Sequence, residues 1–152
     1  MKQYVFFLLL ILLGFASCEK DDICIQNPVT PKLVIGFYDE ENPETLKNID
    51  SLYVWAEGKD SIYVNKSINS IELPLNFLET ETVYNLSQGT LLTGILTIRY
   101  TPKEDYVSRS CGYRFIYNNV TLTTENNSWF SSLTPTNLTT INNQIEHVQV
   151  FH

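Results

Sequence analysis

Beyond its first seventeen residues, no stretch of this chain repeats apolar side chains at the helical period of 3.6. They fall instead on every second residue or in short runs bounded by Gly, Pro, Asn and Asp. Ile71, Leu73 and Leu75 alternate with Glu72, Pro74 and Asn76, the pattern of a strand with one face buried. Pro74 has no N–H for a ladder and sends that strand to a sheet edge. Residues 51–56 and 61–65 flank Glu57-Gly58-Lys59-Asp60, a hairpin with glycine in the turn. Further strands are expected at 33–38, 82–86, 94–101, 106–117 continued by 120–123, and 145–151. Residues 125–143, rich in Asn, Ser and Thr, read as loop with one short strand near Trp129. About eight strands with turn chemistry between them predict an all-β fold, an antiparallel β-sandwich of the Ig-like, Greek-key type. With 43% hydrophobic and 12% aromatic residues, a single domain of about 120 residues can close a core.

The N-terminus follows a different grammar. Lys2 precedes an apolar segment, 4–16, that is thirteen residues long where a membrane-spanning helix needs about 20. A positive start, a short apolar run and the small pair Ala16-Ser17 read as a secretory signal peptide. Cys18 follows, and the arrangement resembles a bacterial lipobox, with Phe15 where leucine is usual. That resemblance implies that the Cys18 thiol receives diacylglycerol and becomes the new N-terminus. The alternative is an ordinary signal peptide cleaved elsewhere, leaving Cys18 a plain thiol. Glu19-Lys20-Asp21-Asp22 resembles the acidic surface-export signal of Bacteroidota lipoproteins, and otherwise reads as a solvated linker. The expected organisation is signal peptide 1–17, lipidated acidic tether 18–30 and β-sandwich 31–152. The expected location is the outer membrane, lipid-anchored, at the cell surface or, alternatively, in the periplasmic leaflet.

Lipidation of Cys18 leaves Cys24 and Cys111, an even number in an oxidising compartment, and these are expected to pair. Closing a separation of 87 residues stabilises by about 4.5 kcal/mol on the chain-entropy model. No CxxC and no nearby histidine completes a metal set, so neither a metal nor another cofactor is expected.

Three segments carry a wider resemblance: D-I-C-I-Q-N-P-V-T-P-K-L-V-I-G-F-Y-D, R-S-C-G-Y-R-F-I-Y-N-N-V and the terminal E-H-V-Q-V-F-H. Over nearly the whole mature chain they resemble a family of uncharacterised lipoproteins from Flavobacteriia and related Bacteroidota. The resemblance implies fold and compartment and brings no catalytic residues.

Charge narrows the partners. Lys and Arg total 10 against 17 Asp and Glu, and removing Lys2 with the leader takes the net charge from −7 to −8. Such a field repels nucleic acid, so no nucleic-acid partner is expected. The histidines, His147 and His152, lie on opposite faces of the last strand and do not converge. No nucleophile elbow occurs, and Glu79, Glu81, Glu104 and Asp105 are the acids from which a hydrolytic pair could be drawn. An enzyme, at most a small hydrolase, is disfavoured. Tyr53 and Trp55 share one strand face and Tyr113 and Tyr117 another, with Trp129 in the loop-rich region. Aromatic faces of this kind stack sugars, though they also fill sandwich cores. The expectation is therefore a non-catalytic envelope module with a protein partner, with a glycan-binding accessory lipoprotein as the alternative. Asp50-Ser51-Leu52 and Asp60-Ser61-Ile62 match a Bacteroidota O-glycosylation pattern, making Ser51 and Ser61 candidate acceptors. N-glycosylation sequons at Asn65, Asn85, Asn119, Asn126 and Asn137 would support a eukaryotic secreted origin instead.

Overall fold

A computed structural model describes residues 23–24, 29–89, 92–125 and 129–152; the expected leader, Cys18, most of the tether and Asn126 lie outside them. Every regular element among the described residues is a strand, and none forms a helix long and apolar enough to cross a membrane. There are ten: β1 (Leu33–Tyr38), β2 (Ile49–Ala56), β3 (Ser61–Ile68), β4 (Ser70–Leu73), β5 (Glu81–Gln88), β6 (Leu92–Ser108), β7 (Gly112–Thr124), β8 (Ser132–Thr134), β9 (Asn137–Ile141) and β10 (Val148–Phe151). They make a four-stranded sheet, β4-β1-β10-β8, and a six-stranded sheet, β3-β2-β5-β6-β7-β9, packed together as an all-β sandwich.

Two compact units divide the chain. One comprises Val29–Asp105 and Arg114–His152; the other, among described residues, holds Ile23, Cys24 and Tyr106–Tyr113. In the larger unit, alternation is read out as burial. Leu33, Ile35, Phe37, Ile71, Leu73, Val148 and Val150 from the first sheet meet Leu52, Val54, Leu86, Leu96, Ile98 and Val120 from the second. Each such side chain, fully buried, stabilises by roughly 1.5–3 kcal/mol before entropy is counted. The exception to antiparallel pairing is β1 with β10, whose parallel register runs from Ile35 opposite Val148 to Tyr38 opposite Phe151. Pro74 follows β4, which ends at Leu73, so its missing N–H falls outside the ladder; β4 is an edge strand.

The crossover that leaves β4 is held by phenols. Tyr84 on β5, Tyr117 on β7 and Tyr100 on β6 donate to the carbonyls of Pro74, Leu75 and Asn76 respectively. Three consecutive carbonyls that no ladder serves thus obtain donors, as buried backbone requires. The rings bury beside them, Tyr100 and Tyr117 meeting edge to face at 5.0 Å. Burial pushes Tyr84 and Tyr117 up to about 12, and also raises Tyr100.

Two expectations need correction. Residues 106–117 are not one strand: β6 ends at Ser108 and β7 starts at Gly112, with Cys111 in the turn between them. The Ser108 hydroxyl accepts from the Cys111 N–H, and Gly112 takes φ +72°, which a side chain would strain. Trp129 lies outside any strand, and the segment beyond it supplies two strands, β8 and β9. Asn65 and Asn119 owe their positions to backbone shape, sitting within β3 and β7 at φ +49° and +51°, where asparagine is tolerated.

Candidate binding face

Along β2, side chains alternate between the core and the outer face of the six-stranded sheet. Leu52 and Val54 are fully buried, while Tyr53 and Trp55 are half-buried on the other side. Two residues apart on one strand, their backbone positions stand about 6.6 Å from each other along it. With Lys59, Ser61, Ser87 and Gly89 they line an open groove of about 510 Å³. Ser61 is the cross-strand partner of Trp55, and Ser87 that of Tyr53. Gly58 at φ +69° supplies the turn that brings Lys59 to the groove.

The neighbouring edge strand extends this face. Tyr63 lies opposite Val54 and packs on the core, so Ile62 and Val64 point outward, both exposed. Their alternation about Tyr63 is the signal in the sequence that marks this face. As an edge, β3 has one row of backbone N–H and C=O groups with no neighbouring strand among the described residues. Two aromatics, two aliphatics and an unpaired strand edge give a surface fitted to bind.

The other expected aromatics do not join it. Tyr117 is 0% exposed, a core residue with its hydroxyl committed to Leu75, and stacks no ligand. Trp129 packs on the core, meets the rings of Phe37, Phe130 and His152, and donates its Nε1–H to the Leu86 carbonyl at 3.0 Å. Tyr113 belongs to the smaller unit, where it is exposed and meets Tyr106 at 5.2 Å. Equal parity along β7 does not make Tyr113 and Tyr117 one platform. Ser51 and Ser61 are both exposed, Ser51 at φ +55° within a bulged stretch of β2.

Cys24 and Cys111 are joined by a disulfide, with Cα atoms 4.8 Å apart. The histidines serve the packing. His147 Nδ1 accepts the Val34 N–H at 3.0 Å, and burial lowers its pKa. The His152 ring meets Phe37 and Trp129 edge-on. Of the acids weighed for hydrolysis, Glu81 pairs with Arg99 at 2.7 Å and Asp105 with Arg114 at 2.8 Å. A wider recess, of about 610 Å³, runs along Pro74, Leu75 and Asn76 past the Tyr84 phenol and takes in the paired Glu81. Among the described residues no group of three or more His, Cys, Asp or Glu could hold a metal ion.

A model for a family of unknown function (DUF6452) matches residues 51–152, from within β2 to the last residue. No curated protein and no solved structure matches the chain.

Proposed function

We propose that this chain, which belongs to a family of unknown function (DUF6452), is a lipid-anchored cell-envelope protein whose sandwich is a non-catalytic interaction module. The outer face of β2 and β3 carries the reading: Tyr53, Trp55, Ile62 and Val64 collect where a core-forming sequence has no reason to place them. Contiguous apolar surface at a sheet edge is a recurrent protein-binding feature, since backbone pairing adds affinity and alternate side chains add specificity. The compartment rests on the leader grammar, on Cys18 and on a disulfide that an oxidising environment sustains. On this reading the anchor is in the outer membrane, the acidic Glu19–Asp22 run favours the cell surface, and the bacterial source is of the Bacteroidota. The partner is a protein offering an extended segment with apolar side chains on alternate positions.

One observation favours a second ligand class. The Tyr53–Trp55 groove has the exposed Ser61 hydroxyl and the Lys59 ammonium at its rim, with the Ser87 hydroxyl committed to the Gly89 carbonyl. This is a mixture of flat apolar face and polar edge of the kind that stacks sugar rings. One experiment separates the two: photo-crosslinking in intact cells with a reactive residue at Val64, beside binding of the purified domain to envelope polysaccharide. A crosslinked protein band that Trp55→Ala and Ile62→Asp each remove supports the protein partner. Polysaccharide binding lost in Trp55→Ala but kept in Ile62→Asp transfers the function to glycan. Neither signal from well-folded protein removes the face from consideration.

A further inference from the structure

The smaller unit carries apolar surface out of proportion to its size. It holds ten described residues, yet three of the ten exposed large apolar side chains fall there: Ile23 (74%), Tyr106 (59%) and Tyr113 (64%). Tyr106 and Tyr113 face each other across the β6–β7 turn with ring centroids 5.2 Å apart, and their exposed rings are left facing solvent. Between them run Val107, Ser108, Arg109, Ser110, Cys111 and Gly112, with one cation and no carboxylate. The turn from Val107 to Gly112 carries no acid of its own; the nearest in sequence to the three apolar residues are Asp22, before Ile23, and Asp105, before Tyr106.

Covalent geometry bounds how far this unit can lie from such an anchor. If Cys18 carries the lipid, five residues lie between it and Cys24, and the six residue steps reach no farther than about 22 Å. The disulfide then places Cys111 4.8 Å from Cys24, Cα to Cα. Ile23 is next to one half-cystine and Tyr113 two residues from the other. We propose that the Cys24–Cys111 bridge holds Ile23, Tyr106 and Tyr113 against the bilayer that bears the anchor, where their rings seat in the headgroup region. Tyrosine collects at that boundary because its ring prefers the acyl side and its hydroxyl the wet side. The seat supplements the acyl chains and fixes which residues of the smaller unit meet the lipid. It rests on the lipid-anchor reading.

The test reconstitutes lipidated full-length protein into zwitterionic phosphatidylethanolamine vesicles. Tyr106→Trp adds an indole at the exposed site, and wild type, with Trp55 and Trp129, gives the baseline. In vesicles with brominated acyl chains the added emission is expected to be lost, while aqueous iodide leaves it intact. Tyr113→Trp behaves alike, and the Cys24→Ser, Cys111→Ser background reverses both responses although the protein still floats with the vesicles. Vesicle-bound protein whose added emission responds to iodide and not to bromine overturns the seat and leaves the anchor standing. Protection from both quenchers, as a second copy covering the turn would give, overturns it equally. Protein that fails to float with vesicles removes the anchor itself, and the seat with it.

Discussion

A tyrosine ring buried among aliphatic neighbours must still give its hydroxyl a partner, and Tyr117 finds the Leu75 carbonyl at 2.9 Å. Tyr117→Phe keeps the ring and orphans that carbonyl, with an expected cost of about 1–3 kcal/mol. Tyr117→Ala empties the ring's space as well, for about 3–5 kcal/mol. Urea unfolding with an unchanged slope distinguishes the two. The same burial sets an alkaline limit. Desolvation, aided by the charge of neighbouring phenolates, raises Tyr84 and Tyr117 to about 12, against about 10 in the unfolded chain. Between these values the native state holds the extra protons, so stability is complete below pH 10 and falls as pH rises toward 12. Denaturation midpoints followed across that window should decline less steeply in Tyr84→Phe than in wild type.

Strands whose alternation meets a single core were legible: β1, the β2–β3 hairpin, β4 with its proline, and the β5–β6 pair all follow from period and turn chemistry. The turn at Cys111 was not, because Arg-Ser-Cys-Gly lies between two long β-prone runs and only the Gly112 dihedral breaks them. Nor could parity sort the aromatics. It assigns Tyr113 and Tyr117 one side of a strand, but burial depends on what packs opposite, and only Tyr117 meets a core. Trp129 escaped for a related reason: a ring in an Asn- and Ser-rich segment shows no period, yet its Nε1–H reaches a carbonyl of β5. Tyr53 and Trp55 were legible as a pair, whereas the groove beside them needed the β3 register. At this scale the disulfide makes a clean prediction. Cys24→Ser with Cys111→Ser reopens a separation of 87 residues and should cost up to about 4.5 kcal/mol by chain entropy, read as a lower urea midpoint. The sandwich strands draw their stability from burial, so native circular dichroism should persist in the double variant.

For the molecule as a whole, anchor, bridge and sandwich have separable physical roles. On the proposed reading, acyl chains on Cys18 would hold the protein to lipid at about 0.8 kcal/mol per buried methylene, and two or more would make attachment durable. The bridge would then limit how far the β6–β7 turn can stray from such an anchor. The sandwich presents the β2–β3 face, and a net charge of −7, or −8 for a chain without the expected leader, discourages non-specific contact with anionic surfaces. All of this depends on the sulfur at position 18. Mass spectrometry of the N-terminal peptide from protein extracted with its native envelope reads that atom directly. The expected peptide starts at Cys18 and is heavier by a diacylglycerol, while Cys24 and Cys111 are recovered linked to each other. A peptide starting at any other residue, or a Cys18 of unmodified mass, would contradict it.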